Sequence, residues 1–188
     1  MTALSPNFDQ ALVFASELHR DQSRKGTALP YVSHLLIVAG TVIENGADEE
    51  TAIAAVLHDA IEDQGGAQTR QEIIRRFGEG VARLVDEVSD AEITPKPPWR
   101  ERKEAYLSRV ETMSAGALLI ALADKAHNAR ATLSDYRRIG DAVWTRFNEG
   151  KEGQRWFYET FLAKAAQHPA APDALLDELK RIDIDLFA

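Results

Sequence analysis

No cysteine occurs among the 188 residues. Disulfides and thiolate metal sites are therefore excluded, and any metal must be held by histidine and carboxylate. No apolar run approaches the roughly 20 residues that a membrane-spanning helix requires. The opening residues, MTALSPNFDQ, lack the basic start and apolar stretch of a secretory signal, so a cytoplasmic location with no membrane partner is expected. Positive charge is in deficit: 22 Lys and Arg stand against 30 Asp and Glu, for a net charge of −8. Such a chain is a poor candidate for nucleic-acid binding, which needs a basic face to displace counterions. A small anionic ligand remains compatible, because local clusters and a metal dominate the field inside a cleft. Two basic clusters exist, Arg24-Lys25 and Lys96 with Arg100, Arg102 and Lys103.

What is present is an ordinary soluble composition, 45% hydrophobic and 28% charged, with a length suited to one sizeable core. Period-two alternation is rare, and the chain reads as successive helices joined by short polar breaks, an all-α fold. An opening helix is expected from about Asn7 to Arg20, followed by a loop from Asp21 to Pro30. A second helix should run from Ser33, as N-cap, to Glu44. Asp48 should cap a third, whose apolar run Ala52 to Leu57 leads into His58-Asp59 and ends at Gln64-Gly65-Gly66. Thr69 with Glu72 has the form of a capping box. Gly78 and Gly80 punctuate the helical pattern before Val81, Leu84, Val85 and Val88 continue it. Ile93 to Trp99, with three prolines, must be a loop. Further helices are expected at Glu101 to Met113, Gly116 to Tyr136, Ala142 to Phe147, Gly153 to Gln167 and Pro172 to Ile182.

A His-Asp pair alone is weak evidence, but its setting is more informative. His58 and Asp59 close an apolar stretch, and Glu62 and Asp63 follow one helical turn later. Four adjacent ionisable groups there would be costly without a partner, which is either a divalent cation or solvent. Asp124 follows a second apolar run, Leu118 to Ala123, with Asn128 one turn further on. An aspartate there could complete a His, His, Asp, Asp set suited to Mn²⁺, Fe²⁺ or Zn²⁺. Spacing alone equally allows Asp124 to be a surface partner of Lys125 or Arg130, and Arg24-Lys25 to be a solvated loop.

Five segments, in order, carry a resemblance: His19-Arg20-Asp21-Gln22-Ser23-Arg24-Lys25, Pro30-Tyr31-Val32-Ser33-His34, Leu57-His58-Asp59-Ala60-Ile61-Glu62-Asp63, Arg76-Phe77-Gly78 with Leu84-Val85, and Leu122-Ala123-Asp124-Lys125-Ala126-His127-Asn128. Together they resemble the HD-superfamily hydrolase domain of the RelA/SpoT homologue family, most closely its stand-alone small alarmone hydrolases. The resemblance implies one HD phosphohydrolase domain over 1–188, with a motif-bearing core of about 8–135 and C-terminal helices at 140–185 packing on it.

It also implies a chemistry. The family removes the 3′-pyrophosphate from a ribose, using one Mn²⁺ and water made acidic by the metal. By position, His34, His58, Asp59 and Asp124 are implied as metal ligands, and Glu62 and Asp63 as the groups that activate and orient water. Arg24 and Lys25 are implied to lie against base, sugar or phosphate, Asn128 against the ribose, and Lys96 against phosphate. The implied partner is a small purine nucleotide carrying a 3′-pyrophosphate, of ppGpp or ppApp type. Departures from the family pattern are Leu35 in place of proline after His34, and the inserted Pro97-Pro98-Trp99-Arg100. A late aromatic often lines the nucleotide pocket, and Trp156, Phe157 and Tyr158 make its equivalent ambiguous. These departures leave adenine as well as guanine open as the base. Rival readings are another HD nucleotide phosphohydrolase, such as an NADPH phosphatase or nucleotidase, and a non-catalytic nucleotide-sensing module.

Overall fold

The computed structural model describes residues 4–90 and 97–188. Lys96, and with it most of the expected proline loop, lies outside the described residues. Helices make up the architecture, and among the described residues no strand forms; one isolated antiparallel bridge joins Ser23 and Pro30. The chain divides into two compact units, one up to Pro97 and one from Pro98.

In the first unit, helix α1 (Pro6–Leu18) starts where Ser5 accepts a hydrogen bond from the Asn7 N–H and proline takes the first turn, a position where its missing N–H costs nothing. Helix α2 (Val32–Glu44) begins one residue before the expected Ser33. Ser33 is not its cap, because the Ser33 hydroxyl donates to the Pro30 carbonyl at 2.8 Å. Helix α3 (Glu49–Val56) is capped by Asp48 as expected, through the Thr51 N–H at 2.9 Å. Its six consecutive residues Thr51 to Val56 are all buried, and it packs against α1, α2 and helix α6 (Glu79–Val88). The apolar run is thus the centre of this unit rather than an amphipathic stripe.

The helix does not continue to Gln64. It breaks at Leu57–Asp59 and resumes as the single turn α4 (Ala60–Asp63). The Ala60 N–H reaches the Leu57 carbonyl at 2.9 Å, a tightened i→i+3 turn that leaves His58 and Asp59 outside regular helix. Helix α5 (Ala67–Phe77) also departs from expectation, since Gly66 occupies its N-cap position and the Thr69–Glu72 capping box does not form. The Thr69 hydroxyl donates to the Gln64 carbonyl instead, and Glu72 pairs with Arg75 and Arg76. At Gly78 the backbone takes φ +92°, which side-chain-bearing residues rarely adopt, and the chain turns from α5 into α6.

In the second unit, Pro98 precedes helix α7 (Trp99–Arg109), so Trp99 opens a helix rather than closing a loop. A 3-10 turn (Val110–Thr112) leads to the long helix α8 (Ala115–Ile139), which Ser114 caps through the Ala117 N–H. A 3-10 segment (Gly140–Arg146) replaces the helix expected at Ala142 to Phe147. Helices α9 (Gly150–Ala165) and α10 (Asp173–Phe187) follow. Helix α10 packs along α8 and against α9, burying Leu175, Leu176 and Leu179. Arg130–Glu178 and Arg137–Asp185 pair across α8 and α10, but these exposed pairs add little beside the apolar contact. Among the described residues no helix is long and apolar enough to cross a membrane.

Candidate metal centre

Three of the expected ligands converge in the first unit. His34, in the first turn of α2, and His58, in the break after α3, are both buried, 1% and 3% exposed, while Asp59 is half-buried. The His34 and His58 Nε2 atoms lie 3.2 Å apart. The Asp59 carboxylate oxygen stands 3.0 Å from His58 Nε2 and 3.5 Å from His34 Nε2. Three donor atoms held about 2.1 Å from one ion would be about 3.0 Å apart at right angles and about 3.4 Å apart at tetrahedral angles. The observed triangle matches that range, so the donor set fits a divalent cation.

The surrounding groups orient these donors. His58 Nδ1 donates to the Ala55 carbonyl at 2.8 Å, which fixes the tautomer that leaves Nε2 as a lone-pair donor. The Tyr31 hydroxyl donates to the same Asp59 oxygen at 2.6 Å. Burial pushes the Asp59 carboxyl up, but the His58 and His34 imidazoles beside it outweigh this and hold the group well below the usual carboxylate range. Asp59 is therefore ionised and ready to ligate.

The other expected site residues of this unit stand around the triangle. Glu62 is half-buried on α4, and one of its oxygens accepts the Asp90 N–H at 3.1 Å. Asp63 is exposed and accepts the Gln22 side-chain N–H at 2.8 Å. Arg24 is half-buried with its guanidinium 5.5 Å from the Tyr31 ring centroid, so it is not merely a solvated loop residue; Lys25 beside it is exposed. Tyr31, which belongs to a motif but has no role implied by it, links Arg24 to Asp59; in the sequence only its place before His34 hints at this. His19 and Gln22 are likewise motif residues without an implied role. His19 stacks on Tyr31 with ring centroids 5.2 Å apart, and burial pushes its imidazole below the usual range against the Gln22 hydrogen bond.

Asp124 and Asn128 belong to the second unit, on α8. Asp124 is buried at 8% exposure, so it is not a surface residue, and Arg130 pairs elsewhere, with Glu178. Its carboxylate accepts Lys125 Nζ at 2.5 Å and Asn128 Nδ2 at 2.5 Å. Burial would lower the Lys125 ammonium, but the Asp124 charge and the Tyr106 side chain, whose ring centroid is 4.9 Å from Nζ, raise it well above its usual range. Of the late aromatics, Phe157 and Tyr158 are buried core, Phe157 against Tyr106 and Tyr158 against Phe187. Trp156 is half-buried, edge-on to Trp99 at 5.9 Å, with the Arg100 guanidinium 3.3 Å from its ring centroid.

A helical fold with a His, His, Asp donor triangle at a helix break, its two imidazoles buried, defines a metal-dependent hydrolase of the HD type, and the chain belongs to the HD domain family, whose model matches residues 11–154. Within that family it is similar to guanosine-3′,5′-bis(diphosphate) 3′-pyrophosphohydrolase MESH1 of Xenopus tropicalis, 37% identical over 139 residues that make up 72% of this chain and 73% of that protein. The bifunctional (p)ppGpp synthase/hydrolase SpoT of Escherichia coli (strain K12) is also 37% identical, over 68% of this chain but 18% of its own length. The solved structure of a metazoan SpoT ortholog, described as hydrolysing ppGpp, superposes with a TM-score of 0.77 at 28% identity, covering 97% of this chain and 96% of that one.

Proposed function

We propose that the chain is a 3′-pyrophosphohydrolase of (p)ppNpp alarmones, acting in the cytoplasm on ppGpp, ppApp or both, with Mn²⁺ as its metal and Fe²⁺ or Zn²⁺ as substitutes. The observation that carries the reading is the His34, His58, Asp59 triangle, with donor separations of 3.0 to 3.5 Å. The activity for which MESH1 and the metazoan SpoT ortholog are named supports the choice of substrate class.

In the reaction a water oxygen bonds to the phosphorus attached to ribose O3′, and the P–O3′ bond breaks. O3′ takes a proton, leaving a nucleoside diphosphate or triphosphate and pyrophosphate. A bound divalent cation supplies Lewis-acid polarisation of a phosphoryl oxygen and lowers the pKa of water. His34, His58 and Asp59 hold it, with Asp124 as the fourth ligand on the strength of its motif. Glu62 takes or relays the water proton, and Asp63 orients the water. Arg24 offers a planar, permanently charged face to a purine while keeping donors for phosphate. Lys25 and Lys96 offset diphosphate charge that a protein of net charge −8 would repel, and Asn128 contacts the ribose.

Incubation of Mn²⁺-loaded protein with ppGpp and, separately, ppApp, with products resolved by anion exchange, tests this. Pyrophosphate with GDP or ADP is expected, absent in Glu62→Ala and Asp59→Ala. Turnover of neither compound would overturn the reading and favour another phosphorylated nucleotide, NADPH first.

A further inference from the structure

We propose that His19 is a positioning residue for the reaction, holding the Asp63 carboxylate in one orientation through the side-chain amide of Gln22. The inference rests on the proposed function only for the role of Asp63.

Gln22 sits in the turn after α1, half-buried, and its amide is engaged at both ends. An ionised carboxylate only accepts, so the amide nitrogen must face Asp63, to which it donates at 2.8 Å. The amide oxygen then faces two donors, Gln64 Nε2 at 2.6 Å and His19 Nδ1 at 2.6 Å. Both lone pairs of that oxygen are used, and an amide flip would set NH₂ against two donors and an oxygen against a carboxylate. The network therefore has one favourable arrangement, and His19 must carry its proton on Nδ1.

His19 is 2% exposed, and its Nε2 is buried without a hydrogen-bond partner. A side chain that only filled space there would bear the cost of that nitrogen with nothing in return. What offsets the cost is the Nδ1–H bond to Gln22 and the ring face laid on Tyr31 at a 15° interplanar angle. The backbone closes the same loop, since the Tyr31 N–H donates to the Gln22 carbonyl at 2.9 Å. His19 thus touches two separate supports, Gln22 for Asp63 and Tyr31 for Asp59, and only the first depends on its polar hydrogen.

This separation gives the test. His19→Phe keeps the ring and removes the Nδ1–H, Gln22→Met removes the amide, and His19→Asn returns a donor near the Nδ1 position. With Mn²⁺ and ppGpp, kcat is expected to fall about 10- to 100-fold in His19→Phe and Gln22→Met, the range for lost orienting bonds. KM and Mn²⁺ affinity should stay near wild type, and His19→Asn should recover most of the loss. Unchanged kcat in His19→Phe, or a loss that tracks Mn²⁺ affinity, would overturn the proposal. A second measurement needs neither turnover nor a folded variant: ¹⁵N-histidine NMR of the wild-type protein should find His19 as the Nδ1–H tautomer. The Nε2–H tautomer would overturn the proposal whatever the substrate. A wild-type protein inert toward ppGpp but with the Nδ1–H tautomer would count against the proposed function while supporting the network.

Discussion

Replacing Tyr31 with phenylalanine removes one oxygen and leaves the ring. The ring would still stack on His19 at 5.2 Å and meet the edge of His34 at 5.5 Å, so both supports of the imidazoles survive. What is lost is the 2.6 Å hydrogen bond to the Asp59 oxygen that closes the donor triangle. A hydrogen bond to a charged acceptor contributes about 1.5–3 kcal/mol. At 1.4 kcal/mol per factor of ten, that loss weakens metal binding by about 10- to 100-fold. Competition of Mn²⁺ between the protein and a fluorescent chelator at neutral pH reads this directly, with circular dichroism as the check on folding. His58→Ala, which removes a ligand outright, should lose binding altogether and sets the lower limit of the scale. A folded Tyr31→Phe protein that binds Mn²⁺ as wild type does would refute the argument, because it would mean that Asp59 needs no orienting partner.

Two further outcomes concern the second unit. Asp183 on α10 has one oxygen buried without a partner, and burial together with the Glu159 charge, opposed by Arg155, pushes its carboxyl up to about 6. A raised carboxyl stabilises the fold most below its unfolded value of 3.8, and that contribution fades as pH rises through about 6. Asp183→Asn should therefore raise Tm above pH 6 and lose this advantage below pH 4; the group is half exposed, so the gain is about 1 kcal/mol, or roughly 2–4 °C. A pH-independent Tm difference would rule this out. Asp124→Ala strands the Lys125 ammonium in a buried position and should cost about 3–5 kcal/mol measured with chelator present. Adding Lys125→Met should recover part of it, and a single variant as stable as wild type would show that the pair does not matter to the fold.

The candidate ligands His34, His58 and Asp59 were legible because their motifs are local, each a few residues of fixed identity and order. Their geometry was not. Apolar periodicity from Ala52 onward reads as one helix through Asp63, on which His58 and Asp59 would point about 100° apart. At the break the Leu57 carbonyl takes the Ala60 N–H, and His58 turns back to the Ala55 carbonyl. Only then do His58 Nε2 and the Asp59 oxygen approach to 3.0 Å. The failed capping box is a similar case, since Thr69 and Glu72 have the right spacing but closer partners in Gln64, Arg75 and Arg76. Spacing states which bonds are sterically allowed, and competition among neighbours selects the bond that forms. The same rule explains why Tyr31 and His19 stand in recognisable motifs without a legible role. An aromatic beside a loop reads as core until the partner of its polar atom is known. In this site those partners are Asp59 and Gln22, so residues that resemble packing fix the direction of two carboxylates.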